Sequence, residues 1–313
     1  MKKKLIYVFV IIFAIVVTIL MIRFLSGDED TWFCQDGRWL KHGQPTSLIP
    51  TNGCGQVKTE DIEIYSPESD QTVSFPLVIE GRAKGDWFFE ASFPIKLLDS
   101  VSGKELAVTM AQAQSDWMTA DFVPFKAVIN LSFLPENNEG ILVFQKDNPS
   151  GLPINDRKIY FSIHFPKKED VSIIKIFFNN EILGMDFSCD KVFPVERVIS
   201  KTPAIARVAL ELLLSGPTLE ERGEIFYSIE GVSTIEEEKG FFTSINPDVK
   251  IQKLVIENNV AKVDFDNQLE FQVGGSCRVA AIRAQIIETL KQFPTVKEVI
   301  ISIDGRTEDI LQP

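Results

Sequence analysis

Histidine is nearly missing from this 313-residue chain, which has two, His42 and His164. One falls in a cysteine-flanked loop and the other in a separate folded segment, so a Ser-His-Asp relay is excluded. Cysteine is also sparse: Cys34, Cys54, Cys189 and Cys277, with no C-x-x-C spacing. That excludes a dithiol redox motif and does not resemble a zinc site. Basic charge is short as well. Lys2, Lys3, Lys4 and Arg23 lie before Gly27, and the remainder carries 44 acids against 28 bases, a net of −16. Such a body repels phosphate backbones, so nucleic acid is excluded as a partner. Polar low-complexity stretches are missing too; 45% hydrophobic and 24% charged residues make a globular chain long enough for about two domains.

What is present begins at the amino end. Lys2-Lys3-Lys4 precedes eighteen uncharged residues, Leu5 to Ile22. At 1.5 Å per residue these span about 27 Å, close to the roughly 30 Å hydrocarbon core of a bilayer. Residues 1–26 therefore read as a basic cytoplasmic end and a single-pass signal anchor in the cytoplasmic membrane, with everything after it outside. The run exceeds the h-region of a cleaved signal peptide, which stays the competing reading, and no small-x-small site follows it. Trp32 and Phe33 before Cys34 rule out a lipobox. Outside the cytoplasm thiols are oxidised. Four cysteines allow three connectivities, and domain membership alone selects Cys34–Cys54 within the 27–60 linker and Cys189–Cys277 in the last domain. Closing that second loop is worth roughly 4–5 kcal/mol in the chain-entropy model.

Residues 61–166 alternate as short strands at Ile62–Ile64, Leu77–Ile79, Phe89–Leu98, Leu106–Ala113, Ala127–Leu134, Ile141–Gln145 and Lys158–Phe165. Turn residues separate them, which predicts an all-β sandwich. No cysteine lies inside, so Trp87 and Trp117 pack without an inter-sheet disulfide. Asp147, Asn148, Asn155 and Asp156 form a calcium-like cluster, but KDNPSGLPIND is equally the composition of two turns, the reading adopted here. His164 alternates with Ile163 and Phe165 and is expected on the surface. The segments IYSPESDQTVSFPLVIEGRAKGDWFFEASFPIKLLD, DWMTADFVPFKAVINLSF and LVFQKDNPSGLP resemble the immunoglobulin-like domain of spore germination and sporulation proteins. The resemblance implies an adhesion or spacer module.

After the charged break Pro166–Asp170 the period changes. Ser172–Phe178 predicts a strand, and Thr202-Pro203 predicts a helix start with Ile205, Val208, Ala209 and Leu212 on its apolar face. Lys250–Ile256 and Val260–Phe265 predict a hairpin. Val279, Ile282, Ile286, Leu290 and Phe293 predict a second helix, and Lys297–Ile303 a last strand. Residues 171–313 thus read as an α+β domain of order β-α-β-β-α-β with helices on one sheet face. ALELLLSGPT, GFFTSINPDVKI and GGSCRVAAIRAQIIETLKQFPTVKEVIISIDG resemble a GerMN domain of germination and sporulation proteins. Glu220–Lys239 is longer than that pattern and carries a capping-box sequence at Ser233–Glu236.

Chemistry is thin in this segment. Gly274, Gly275 and Ser276 at the helix start make a possible anion nest, against the simpler reading of glycine flexibility. Asp264, Asp266 and Asp304 sit at strand ends and could serve as acid and base only if adjacent. No catalytic residue, cofactor or metal is assigned. The sequence therefore predicts a non-enzymatic, membrane-anchored binding or scaffold protein of the bacterial envelope. Its partner would be another envelope protein or a second copy. The alternative is a wall-glycan-binding accessory or an envelope hydrolase, with Trp32, Phe33 and Trp39 as stacking groups.

Overall fold

The computed structural model describes residues 31–35, 38–42, 59–184, 188–223, 227–228, 231–232 and 240–312. The four short pieces 31–35, 38–42, 227–228 and 231–232 are described by their backbone alone. The expected membrane anchor, the Cys34–Cys54 bond and the Ser233–Glu236 capping box lie outside the described residues. Among the described residues no helix is long and apolar enough to cross a membrane. Near the amino end, β1 (Thr31–Gln35) and β2 (Arg38–His42) form an antiparallel pair.

Seven strands follow: β3 (Ile62–Ser66), β4 (Leu77–Lys84), β5 (Ser92–Asp99), β6 (Glu105–Ala113), β7 (Phe122–Ile129), β8 (Glu139–Gln145) and β9 (Lys158–His164). Their ladder order is β3-β4-β7-β6-β5-β8-β9. Side chains alternate across each strand, so Leu77, Ile79 and Ala83 of β4 point inward while Val78 and Glu80 do not. The β6–β7 link is only two residue pairs, Gln112 with Lys126 and Ala113 with Phe125. Phe125 nevertheless packs on Phe93 of β5 at 5.0 Å and Phe144 of β8 at 6.3 Å, strands that are not its ladder neighbours. The ladder therefore folds over at that link, and both halves share one core, as in a sandwich. Trp87 completes this core, stacked edge-on against Phe93 at 5.6 Å. Gly85 lets the chain reach that position, because a Cβ there would clash with the carbonyl oxygens of Trp117 and Thr119.

The β5–β6 turn is held by one carboxylate. Asp99 Oδ1 accepts from the backbone N–H groups of Val101 (3.0 Å) and Ser102 (2.7 Å) and from the Ser102 hydroxyl (2.9 Å). These donors, the Ser102 N–H foremost, hold the Asp99 carboxyl below its ordinary value of 3.8, against the opposing effect of desolvation. A depressed folded value gives stability that is complete above the ordinary value and lost as pH falls through the folded one. Asp99→Asn is accordingly expected to flatten the acid limb of stability against pH while leaving the neutral limb parallel. Identical acid limbs in wild type and variant would remove Asp99 from the acid response.

The second half comprises β10 (Val171–Asn180), β11 (Phe193–Ser200), α1 (Ile205–Leu214), α2 (Leu219–Arg222), β12 (Tyr227–Ser228), β13 (Gly231–Val232) and β14 (Phe241–Phe242). It continues through β15 (Ile251–Glu257), β16 (Val260–Phe265), α3 (Ser276–Lys291) and β17 (Glu298–Ile303). Its larger sheets are β11-β10-β14 and β15-β16-β17, the β16–β17 pair being parallel. The expected β-α-β-β-α-β order is therefore corrected. It lacked β11, β14, the β12–β13 pair and α2, and it assumed one sheet where two three-stranded sheets form. The physical reason for missing β11 is Glu196-Arg197, which interrupts its apolar pattern although Arg197 is buried. Helix α1 starts at Ile205 rather than Thr202, whose hydroxyl instead accepts the Ala204 N–H at 3.1 Å. Val279, Ile282, Ile286 and Leu290 of α3 face the core with Ala209, Leu210 and Leu213 of α1.

Candidate interaction site

Strand β11 serves both halves of the molecule. One edge pairs with β10, and the other donates Val198 N–H to Leu131 O at 2.7 Å and Ser200 N–H to Phe75 O at 3.0 Å. Because side chains alternate, Val195 and Ile199 enter the core of the second half, while Val198, 1% exposed, enters the core of the sandwich. Arg197 lies on the same face as Val195 and is bidentate to Glu221 of α2, both groups buried. Glu221 also closes a capping box: its Oε2 accepts the Thr218 N–H at 2.8 Å, and Thr218 Oγ1 accepts the Glu221 N–H at 3.3 Å. This double use fixes α2 on β11.

Between α2 and the sandwich lies an open cleft of about 490 Å³. Thr109, Gln112, Gln114, Lys126 and Asn130 form one wall, and residues 215–220 with Arg222 form the other. Lys126 is already paired with Glu80 at 2.8 Å. Asn130 Oδ1 is buried there without a hydrogen-bond partner among the described residues. The chemistry of the cleft is amide and hydroxyl hydrogen bonding, with no acid–base pair poised for proton transfer among these wall residues.

The residues singled out in the sequence are mostly committed elsewhere. Cys189 and Cys277 form a disulfide with Cα atoms 5.1 Å apart, tying the segment after β10 to the start of α3. Beside it, Asn179 donates to Cys189 O at 3.4 Å and Lys191 O at 3.2 Å. Its Oδ1 accepts from Gln285 at 2.7 Å and Ser244 at 3.1 Å, a buried network that the sequence did not announce. Gly274, Gly275 and Ser276 are exposed; Gly275 has φ +86, which explains the glycine. The nearby cation is not available to an anion there, since Arg278 donates to Ser244 O at 3.2 Å and Asn246 Oδ1 at 2.7 Å.

Asp264 accepts from the Ser302 hydroxyl at 2.6 Å and Gly305 N–H at 2.9 Å, Asp266 from Lys250 N–H at 3.0 Å, and Asp304 from Gln252 at 2.7 Å. These carboxylates fasten strand ends. In the Asp147 loop, Asn148 donates to Leu152 O at 2.9 Å and to Asp156 at 2.5 Å, and burial pushes the Asp147 carboxyl up. Among the described residues no group of three or more His, Cys, Asp or Glu side chains could hold a metal. His164 departs from expectation: it is half-buried, with a buried Nδ1 that has no partner among the described residues, because Gln71–Val73 folds over β9 and exchanges backbone hydrogen bonds with it.

Residues 61–151 match the family model described as the immunoglobulin-like domain of bacterial spore germination, and residues 177–309 match the Germane model, sporulation and spore germination. Among solved structures, the tandem GerMN domains of the sporulation protein GerM from Bacillus subtilis are 18% identical, with a TM-score of 0.30. That match covers 45% of this chain and 42% of the tandem-domain chain. The first GerMN domain of the same protein is 18% identical, covering 44% of this chain and 85% of that one, with a TM-score of 0.29. No curated protein matches.

Proposed function

Since this chain joins an immunoglobulin-like domain of bacterial spore germination to a Germane domain, we propose that it is a non-enzymatic contact protein of sporulation or germination, anchored in the cytoplasmic membrane with both domains outside it. The observation that carries the reading is the β11 junction. Val198 sits in the sandwich core while Val195 and Ile199 of the same strand sit in the other core, so the two domains present one shared surface and not two independent ones. Such a surface loses little orientational freedom on binding, which favours recognition by contact. The strand-end carboxylates and the sulfurs of Cys189 and Cys277 are instead engaged in holding the fold.

The test places a photoreactive side chain at Gln112, on the cleft wall, in the full chain within native envelopes. A discrete protein adduct, together with labelling of an exposed sandwich residue by a membrane-impermeant reagent, is the expected result. No adduct and a label-protected sandwich would overturn the proposal. A wall-glycan reading has one observation in its favour: Gln112, Gln114 and the unpartnered Asn130 Oδ1 are groups that bind sugar hydroxyls. Cosedimentation with purified wall that is lost in Asn130→Leu would favour that reading instead.

A further inference from the structure

The contact reading above leaves the partner open, and the edge of one sheet narrows it. Strand β15 ends its sheet, with β16 on one side and no strand on the other among the described residues. It leads into β16 through Asn258 and Asn259, both with positive φ (50° and 64°), a two-residue type I′ turn. Glu257 and Val260 then form the closing hydrogen-bonded pair, so Glu257, Val255 and Lys253 direct their backbone groups at β16. Leu254 and Ile256 direct theirs outward, away from any strand. Edges of this kind are normally blunted against pairing.

Here the edge is self-complementary. We propose that β15 pairs antiparallel with β15 of a second copy, the two-fold axis passing through Val255. In that register Leu254 faces the partner's Ile256, and the outward amides and carbonyls of both meet as two hydrogen-bonded pairs. Lys253 faces the partner's Glu257 and Glu257 faces the partner's Lys253, both residues exposed on the free chain. Directly opposite residues share a sheet face, so charge meets opposite charge on the outer face and apolar meets apolar on the helix side. On that side a groove of about 520 Å³, walled by Pro203, Ile205, Phe293 and Pro294, runs beside Leu254 and Ile256, the latter 37% exposed. The partner's Ile256 would extend this wall. Arg207, donating to Ile251 O at 3.2 Å, closes the edge beyond, which confines the ladder to residues 253–257.

The experiment uses the full chain in detergent with Val255→Cys. Position 255 meets itself across the axis, so mild oxidation is expected to give a disulfide-linked dimer. Lys253→Cys is the control, because its two copies lie four residues apart along the ladder, roughly 14 Å, beyond disulfide reach. Adding Lys253→Glu or Glu257→Lys to Val255→Cys sets like charges opposite each other twice and should lower the linked yield at least roughly tenfold. Mixing the two single reversals, or combining both in one chain, restores opposite charges and should restore the yield. Thermal melts of each variant separate misfolding from lost pairing. Absence of the Val255 link, or a link indifferent to charge reversal in folded variants, overturns the second-copy proposal. If the Gln112 adduct with another protein persists in that case, the contact reading survives; if both fail, it falls too.

Discussion

Glu221→Ala is expected to lower the unfolding free energy by about 3–5 kcal/mol, the range for removing one member of a buried ion pair. Arg197 is 2% exposed and Glu221 8% exposed, and the guanidinium lies in a strand packed on both faces. With the carboxylate gone, the buried charge loses its ion-pair partner. The same substitution opens the capping box on Thr218, so α2 loses its start and its anchor together. Replacing both members, Arg197→Met with Glu221→Leu, removes the unpaired charge and should recover most of the loss. Equilibrium urea unfolding of wild type, single and double variants measures this directly. A single-variant cost below about 1 kcal/mol would mean that α2 does not rest on β11, and the cleft wall would go with it.

How far the sequence reached depends on the range of the interaction concerned. Six of the seven sandwich strands were legible because alternation such as Leu77, Ile79 is a local signal set by the pleat, whereas β7 runs Phe122–Ile129 and meets the expected Ala127–Leu134 only over its last three residues. The α3 stripe was legible for the same reason at helical period. Strand β11 was not, because a buried Arg197 is tolerated only through Glu221, 24 residues away. The T-x-x-E box at Thr218–Glu221 was visible in principle, as a local capping signal. His164 was placed on the surface by alternation alone, which cannot see the Gln71–Val73 segment covering β9. The Asn179–Gln285 bond joins residues 106 apart, and the cleft requires two domains to be docked. Neither has a local signature.

Cys189→Ala with Cys277→Ala is expected to cost about 4–5 kcal/mol, the chain-entropy value for a bond across 88 residues. The bond fastens two otherwise independent ends, the segment after β10 and the first turn of α3. Nearby, Asn179 bridges the Cys189 carbonyl to Gln285 of α3, so the sulfur link and the amide network hold the same junction. Loss of the bond should therefore raise hydrogen exchange first at the α3 start and around Asn179, before the sandwich responds. Each single variant should match the double, because neither thiol gains a new partner. Reductant applied to the wild type should reproduce the shift and leave the double variant unmoved. If reduction costs nothing measurable, the unfolded chain is already constrained over that stretch, or the two sulfurs are not joined. The proposed extracytoplasmic location would then lose its support from this half of the molecule.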